Sequence, residues 1–171
     1  MRSPKVLTSK FFFEVMMSLD GFIAPEGMDM AHAADPSHKN WMSKWNELTS
    51  WIFRQKFFQE NLKLGESGET GEENQMLENT FGRTGVSIMG RRMFEGGEQF
   101  WPEDAPFHTP VFVLTHQVRE PWKRPGGTTF YFVTDGLESA LSKARKAAGE
   151  RDIRVAGGAN AIQTVPRCGD D

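Results

Sequence analysis

The stretch Val86-Ser-Ile-Met-Gly-Arg-Arg-Met-Phe-Glu-Gly-Gly-Glu-Gln-Phe-Trp101 limits what this chain can fold into more than any other. Val86 to Met89 is a short β-branched and apolar run of the length of a buried strand. Gly90 allows a sharp turn, and Arg91 and Arg92 follow at once. Met93 to Glu95 reads as the first turn of a helix, with the Gly96-Gly97 pair expected to end it. A strand that runs through glycine into a helix start leaves backbone N–H groups converging on one spot. The helix dipole makes that spot attractive to anions. Arg91 and Arg92 beside it are bidentate donors suited to a phosphate ester. Spacing alone is equally compatible with two solvated surface charges.

The size of the chain, 171 residues, fits one domain with a real core. Charges of both signs are mixed along it and sum to -3, which favours neither nucleic acid nor an anionic membrane as partner. The single cysteine, Cys168, excludes an internal disulfide and a cysteine-based zinc cluster. His32, His38, His108 and His116 include no pair spaced as ligands on one helix, so no metal is expected. No apolar run approaches a membrane span, and 5–13 is too short for the apolar region of a signal peptide. A soluble, cytoplasmic protein is the expectation.

Along the chain, Phe11 to Met17 reads as a buried strand, and Asp20-Gly21 marks a turn before Ile23 returns to the core. A polar loop runs from Pro25 to Lys39. Trp41, Trp45, Leu48 and Ile52 recur at helical spacing and predict a core-facing helix running on towards Leu62. The glycine-rich segment Gly65 to Gly71 lacks the Gly-Lys-Ser/Thr ending of a phosphate loop and has no strand before it. It reads as a flexible acidic connection. Glu72 to Phe81 predicts a short helix with Met76, Leu77 and Phe81 on its apolar side. After the central stretch, Val111 to His116 is a buried strand and Arg119 to Gly127 a loop. Thr128 to Val133 is a further strand. Asp135 is placed to cap a helix whose apolar face carries Leu137, Ala140, Leu141 and Ala144. Ile153 to Ala156 is one more strand, and Gly157-Gly-Ala-Asn160 opens a last helix through Gln163.

Strands alternating with helices predict an α/β sheet with mostly parallel pairing, covered on both faces. Ligands of such sheets sit outside the carboxyl ends of the strands. The turns at Gly90 and Gly157-Gly158 should face that edge together, which suits an elongated ligand with more than one phosphate. Neither turn has the Gly-x-Gly-x-x-Gly fingerprint, so a standard Rossmann domain is not expected. A serine hydrolase is disfavoured too, because no Gly-x-Ser-x-Gly elbow occurs.

The order of motifs is Ser18-Leu-Asp-Gly-Phe-Ile-Ala24, Met89-Gly-Arg-Arg-Met93, Val113-Leu-Thr115 and Val155-Ala-Gly-Gly-Ala-Asn160. Over 11–163 this resembles the dihydrofolate-reductase-like superfamily, most of all the branch of the riboflavin-biosynthesis reductase domain and its small stand-alone relatives. The resemblance implies a three-layer α/β fold and NADPH as cofactor. It assigns Gly90, Arg91 and Arg92 to the adenosine 2′-phosphate, and Leu114, Thr115 and His116 to the adenosine side. Gly157, Gly158, Ala159 and Asn160 would meet the pyrophosphate, and Ile23 and Ala24 would flank the nicotinamide. The implied chemistry is hydride transfer to a C=N or C=O carbon of a small substrate, pterin-, pyrimidine- or ribosylamine-like. Asp20 is the acid nearest the expected nicotinamide end, though an Asp-Gly turn explains it equally well, and no catalytic residue is assigned. A catalytically idle nucleotide-binding domain and an inactive truncated reductase are the alternatives. Relatives commonly pair, so a homodimer is expected.

Two departures qualify the resemblance. Riboflavin-pathway reductases carry a lysine four residues before the serine of Ser-Leu-Asp-Gly and a basic residue just after the glycine. Here those positions are Glu14 and Phe22. A phosphoribosyl substrate would miss both cations, so a different substrate is expected. Residues 164–171 lack helical periodicity and place Pro166 where a helix should continue. They read as an atypical tail, with the C-terminal strands of the family's sheet missing. Lower stability, or completion by another chain, is the corresponding expectation.

Overall fold

The computed structural model describes residues 9–32, 35–36 and 39–164. His38 lies outside the described residues, as does the tail beyond Thr164. Six strands form one sheet: β1 (Phe11–Phe12), β2 (Thr84–Gly90), β3 (Pro110–Leu114), β4 (Trp122–Lys123), β5 (Thr129–Val133) and β6 (Asp152–Gly157). Their order is β1-β6-β2-β3-β5-β4, and only the β4–β5 pair is antiparallel. The helices are α1 (Lys39–Phe53), α2 (Lys56–Asn61), α3 (Glu72–Arg83), α4 (Arg91–Glu98), α5 (Leu137–Ala148) and α6 (Ala159–Thr164). The chain is thus α/β with a mostly parallel sheet, as the alternation of strands and helices along the sequence predicts.

Successive residues of a strand point to opposite faces, so β2 supplies two cores at once. Val86 and Ile88 join Ile153, Val155 and Val133 under α5. There Ala140, Ala144 and Ala148 are small enough to bring the helix close to the sheet. Met89 joins Val111, Val113 and Phe130 on the other face, under α4. Phe94 of α4 is the centre of that second core. Its ring meets Trp101, Trp122, Phe130 and Phe132 edge-on, with centroids 5.1 to 6.1 Å apart. Such aromatic pairs add about 0.5–1.5 kcal/mol each beyond the area they bury.

Several local expectations are corrected. The strand expected from Phe11 to Met17 pairs only at Phe11 and Phe12, and Phe13, Val15 and Met17 are exposed. Among the described strands β1 has a neighbour on one side only, so it is an edge of the sheet. The long helix from Trp41 breaks after Phe53, and α2 restarts at Lys56. Gln55 at the break bridges to Glu69, with Lys56 N–H donating to the Glu69 carbonyl at 2.9 Å. The 65–71 segment is therefore docked into the break, where a side chain at Gly68 would collide with Lys56 N at 2.6 Å.

In α3 the buried positions are Asn74, Leu77 and Thr80, while Met76 faces solvent. Gly136, not Asp135, is the N-cap of α5. Asp135 instead accepts a hydrogen bond from Ser139 Oγ at 2.7 Å. The predicted loop 119–127 contains β4, and α6 extends one residue past Gln163 to Thr164.

Candidate anion site at the carboxyl edge of the sheet

Parallel pairing brings the carboxyl ends of β2, β3, β5 and β6 to one edge. There Met89 pairs with Gly157 and Gly90 with Leu114, so the two glycine turns stand side by side. A Cβ on Gly90 would lie 3.9 Å from the Gly157 carbonyl oxygen. Gly157 has φ +141, and a Cβ there would lie 2.9 Å from Met93 Sδ. Only glycine suits that position. α4 begins directly after Gly90, with no side chain capping its N-terminus and no acid in its first turn. Its first N–H groups have no intrahelical acceptor.

The Gly96-Gly97 pair does not end α4, which runs through it to Glu98. Both glycines serve close packing: a side chain at Gly96 would strike Met30, and one at Gly97 the Trp101 ring. The helix is therefore long enough to return carboxylates towards its own N-terminus. Arg91 donates through Nη1 to both oxygens of Glu95, at 2.8 and 2.9 Å. Arg92 is exposed and makes no ion pair among the described residues.

A shallow cleft beside the first turn of α4 is lined by Arg91, Glu95, Thr115, Gln117, Arg119 and Phe132, among others. Arg119 grips Glu98 with two hydrogen bonds of 2.8 and 3.2 Å. Its guanidinium also lies over Phe132, 4.6 Å from the ring centroid. The bond to Glu98 raises the Arg119 pKa further above its ordinary value. In this arrangement the cations of the cleft are already matched by carboxylates, and an incoming anion must compete with them.

The predicted residues divide into two groups. Gly90, Arg91, Arg92, Leu114, Thr115, Gly157 and Gly158 gather at the one edge. Thr115 N–H donates to the Val133 carbonyl at 3.1 Å, and its hydroxyl accepts from Gln117 N–H at 3.0 Å. His116 follows it, exposed. Ala159 and the exposed Asn160 open α6, which is only six residues long. Ile23 and Ala24 lie in the loop after β1, and among the described residues no hydrogen bond or ion pair links them to the glycine turns. Asp20 belongs to that loop's turn. Ser18 Oγ donates to its carboxylate at 2.5 Å, and Gly21 beside it has φ +90.

No family model matches the chain, and no curated protein matches it significantly. Glu95, Gln117 and Arg119 of the cleft, and Glu98 that holds Arg119, are residues that sequence reasoning missed. Arg91 and Glu95 are four apart in a helix and could have been paired by spacing. Glu98 and Arg119 could not, because only the position of α4 beside the end of β3 brings them together.

Proposed function

We propose that the chain is an NADPH-dependent reductase that transfers hydride to a C=N or C=O carbon of a small substrate. The observation that carries this reading is the adjacency of Gly90 and Gly157 at the carboxyl edge, with Arg91 and Arg92 at the first of them. Two glycine turns on neighbouring strands give a phosphate-bearing ligand close access to backbone N–H groups at two points. Arg91 and Arg92 favour NADPH over NADH, because the additional phosphate needs cations. Thr115 and His116, with Leu114, would lie along the adenosine side, and Gly157 and Gly158 would admit the pyrophosphate. NADPH supplies the hydride when bound, while these residues bind and orient it. Pairing as a homodimer belongs to the same reading.

Titration with NADPH and with NADH, followed by quenching of tryptophan fluorescence, tests it. NADPH should bind more tightly than NADH. The double variant Arg91→Ala/Arg92→Ala should lose most of that preference, a change of about tenfold or more from two charge-assisted contacts. Equal affinity for the two cofactors, or a preference untouched in the double variant, refutes the assignment. Turnover with a panel of imines and carbonyls then separates an enzyme from an idle binder.

A further inference from the structure

Arg154 of β6 carries a half-buried guanidinium that no side chain among the described residues neutralises by direct contact. It stands opposite Ser87 of β2 and Phe12 of β1, on the face away from the buried Ile153 and Val155. Its Nε is enclosed without a hydrogen-bond partner, and among the described residues the side chain forms no ion pair. The Phe81 ring packs against it, 4.8 Å from centroid to guanidinium. An N–H donor enclosed without an acceptor is costly, and the guanidinium has further donors to offer an incoming carboxylate. Burial pushes its pKa below the ordinary arginine value, and the field of Glu14 opposes that shift.

Glu14 is two residues beyond Phe12, and Thr80 holds its carboxylate. Thr80 Oγ1 lies 2.6 and 2.7 Å from the two carboxylate oxygens. Glu14 is itself exposed. Thr80 and Phe81 are consecutive in α3, so one helix fixes the carboxylate with one residue and the guanidinium with the next. The two opposite charges thus share one region without closing on each other.

The geometry points to a subsite for a small zwitterion, with a carboxylate on Arg154 and a cationic nitrogen on Glu14. A planar carboxylate suits the guanidinium fork. A phosphate dianion would be repelled by Glu14, and a neutral ring would leave both charges unanswered. Resting on the reductase reading, the substrate class is a protonated imine bearing a carboxylate. Its nitrogen already carries the proton, so hydride from NADPH at the C=N carbon yields the amine and NADP⁺ without a proton from any side chain.

Calorimetric titration with three probes tests the subsite. L-Proline carries a carboxylate beside a secondary ammonium, prolinamide lacks the carboxylate, and cyclopentanecarboxylate lacks the ammonium. Proline should bind about tenfold tighter than either analogue, the effect of one charged hydrogen bond. Arg154→Gln should abolish the preference over prolinamide, and Glu14→Gln the preference over cyclopentanecarboxylate. Thermal melting of each variant identifies one that fails to fold. Arg154→Lys, which keeps the charge but not the fork, should in any case weaken proline binding.

The subsite is overturned if the three compounds bind the wild type alike, or if proline does not bind at about 10 mM, a threshold of weak affinity. It is overturned equally if the variants leave the preferences intact. Proline selectivity without NADPH binding leaves the subsite standing and removes the reductase reading. NADPH binding without proline selectivity does the reverse.

Discussion

At Gly157 two constraints coincide: a backbone with φ +141, and Met93 Sδ 2.9 Å from where a Cβ would sit. Gly157→Ala should therefore cost about 1–3 kcal/mol, the range for a residue held in a sparsely populated conformation. A lower urea midpoint at unchanged slope is the expected reading. Gly158, where a Cβ would meet nothing within 4 Å, is the control. The same residue type thus plays different parts in one motif, and a run of letters does not distinguish them. Gly90, Arg91 and Arg92 were legible because a turn, a helix start and two cations follow one another along the chain. The unpartnered Nε of Arg154 was not, since an arginine between Ile153 and Val155 shows only that one face of the strand is polar. What lies over that face is decided by α3, more than seventy residues earlier in the chain.

Helix α4 shows how an element can oppose the anion proposed for it. Its N-terminus attracts anions, yet Glu95 one turn later already occupies Arg91. Glu95→Gln should free that guanidinium and tighten NADPH binding about two- to fivefold, the scale of an i,i+4 ion pair with the loss of a nearby negative charge. The gain should shrink as salt is added, because both partners are partly exposed. The sequence reading ended this helix too early because it took paired glycines as a stop. Met30, which Gly96 accommodates, comes from elsewhere in the chain, and Trp101, which Gly97 accommodates, folds back from just past the helix.

A second element-level prediction concerns the lead-in to β1. Asp152 accepts from Lys10 N–H at 2.9 Å and from Arg83 Nε at 2.8 Å. The Lys10 bond, with help from Arg83, holds its carboxyl below the ordinary value of 3.8. A depressed folded pKa stabilises the protein above the unfolded value and loses that contribution as pH falls through the folded one. Stability should accordingly fall with pH below about 4. Asp152→Asn should be less stable at neutral pH and lose less on acidification, which melts at several pH values would show.

The α/β class was readable because β2, β3 and β5 appear as nearly continuous apolar runs, while β6 alternates buried Ile153 and Val155 with less buried neighbours. β4, two residues among prolines, gave no such signal. The overestimate of β1 has a related cause: an apolar run reveals affinity for a core but not whether a neighbour exists to make one. Phe13, Val15, Met17, Leu19 and Phe22 are all exposed along that segment, Leu19 completely. A patch of this kind favours association. Met17→Lys with Leu19→Lys should lower concentration-dependent light scattering and change stability by no more than about 0.5 kcal/mol, as surface substitutions usually do. Unaltered scattering would assign any self-association to another surface. The sheet order carries one more consequence. β6, the last of the described strands, lies between the first two, so among those strands β1 has no partner on the ribosome until residue 153 has emerged. The edge that carries the two glycine turns is then assembled late, from contacts distant in sequence, which is the slow kind of pairing. Until then β2 lacks its neighbour on that side as well, and chaperone capture would act on that interval.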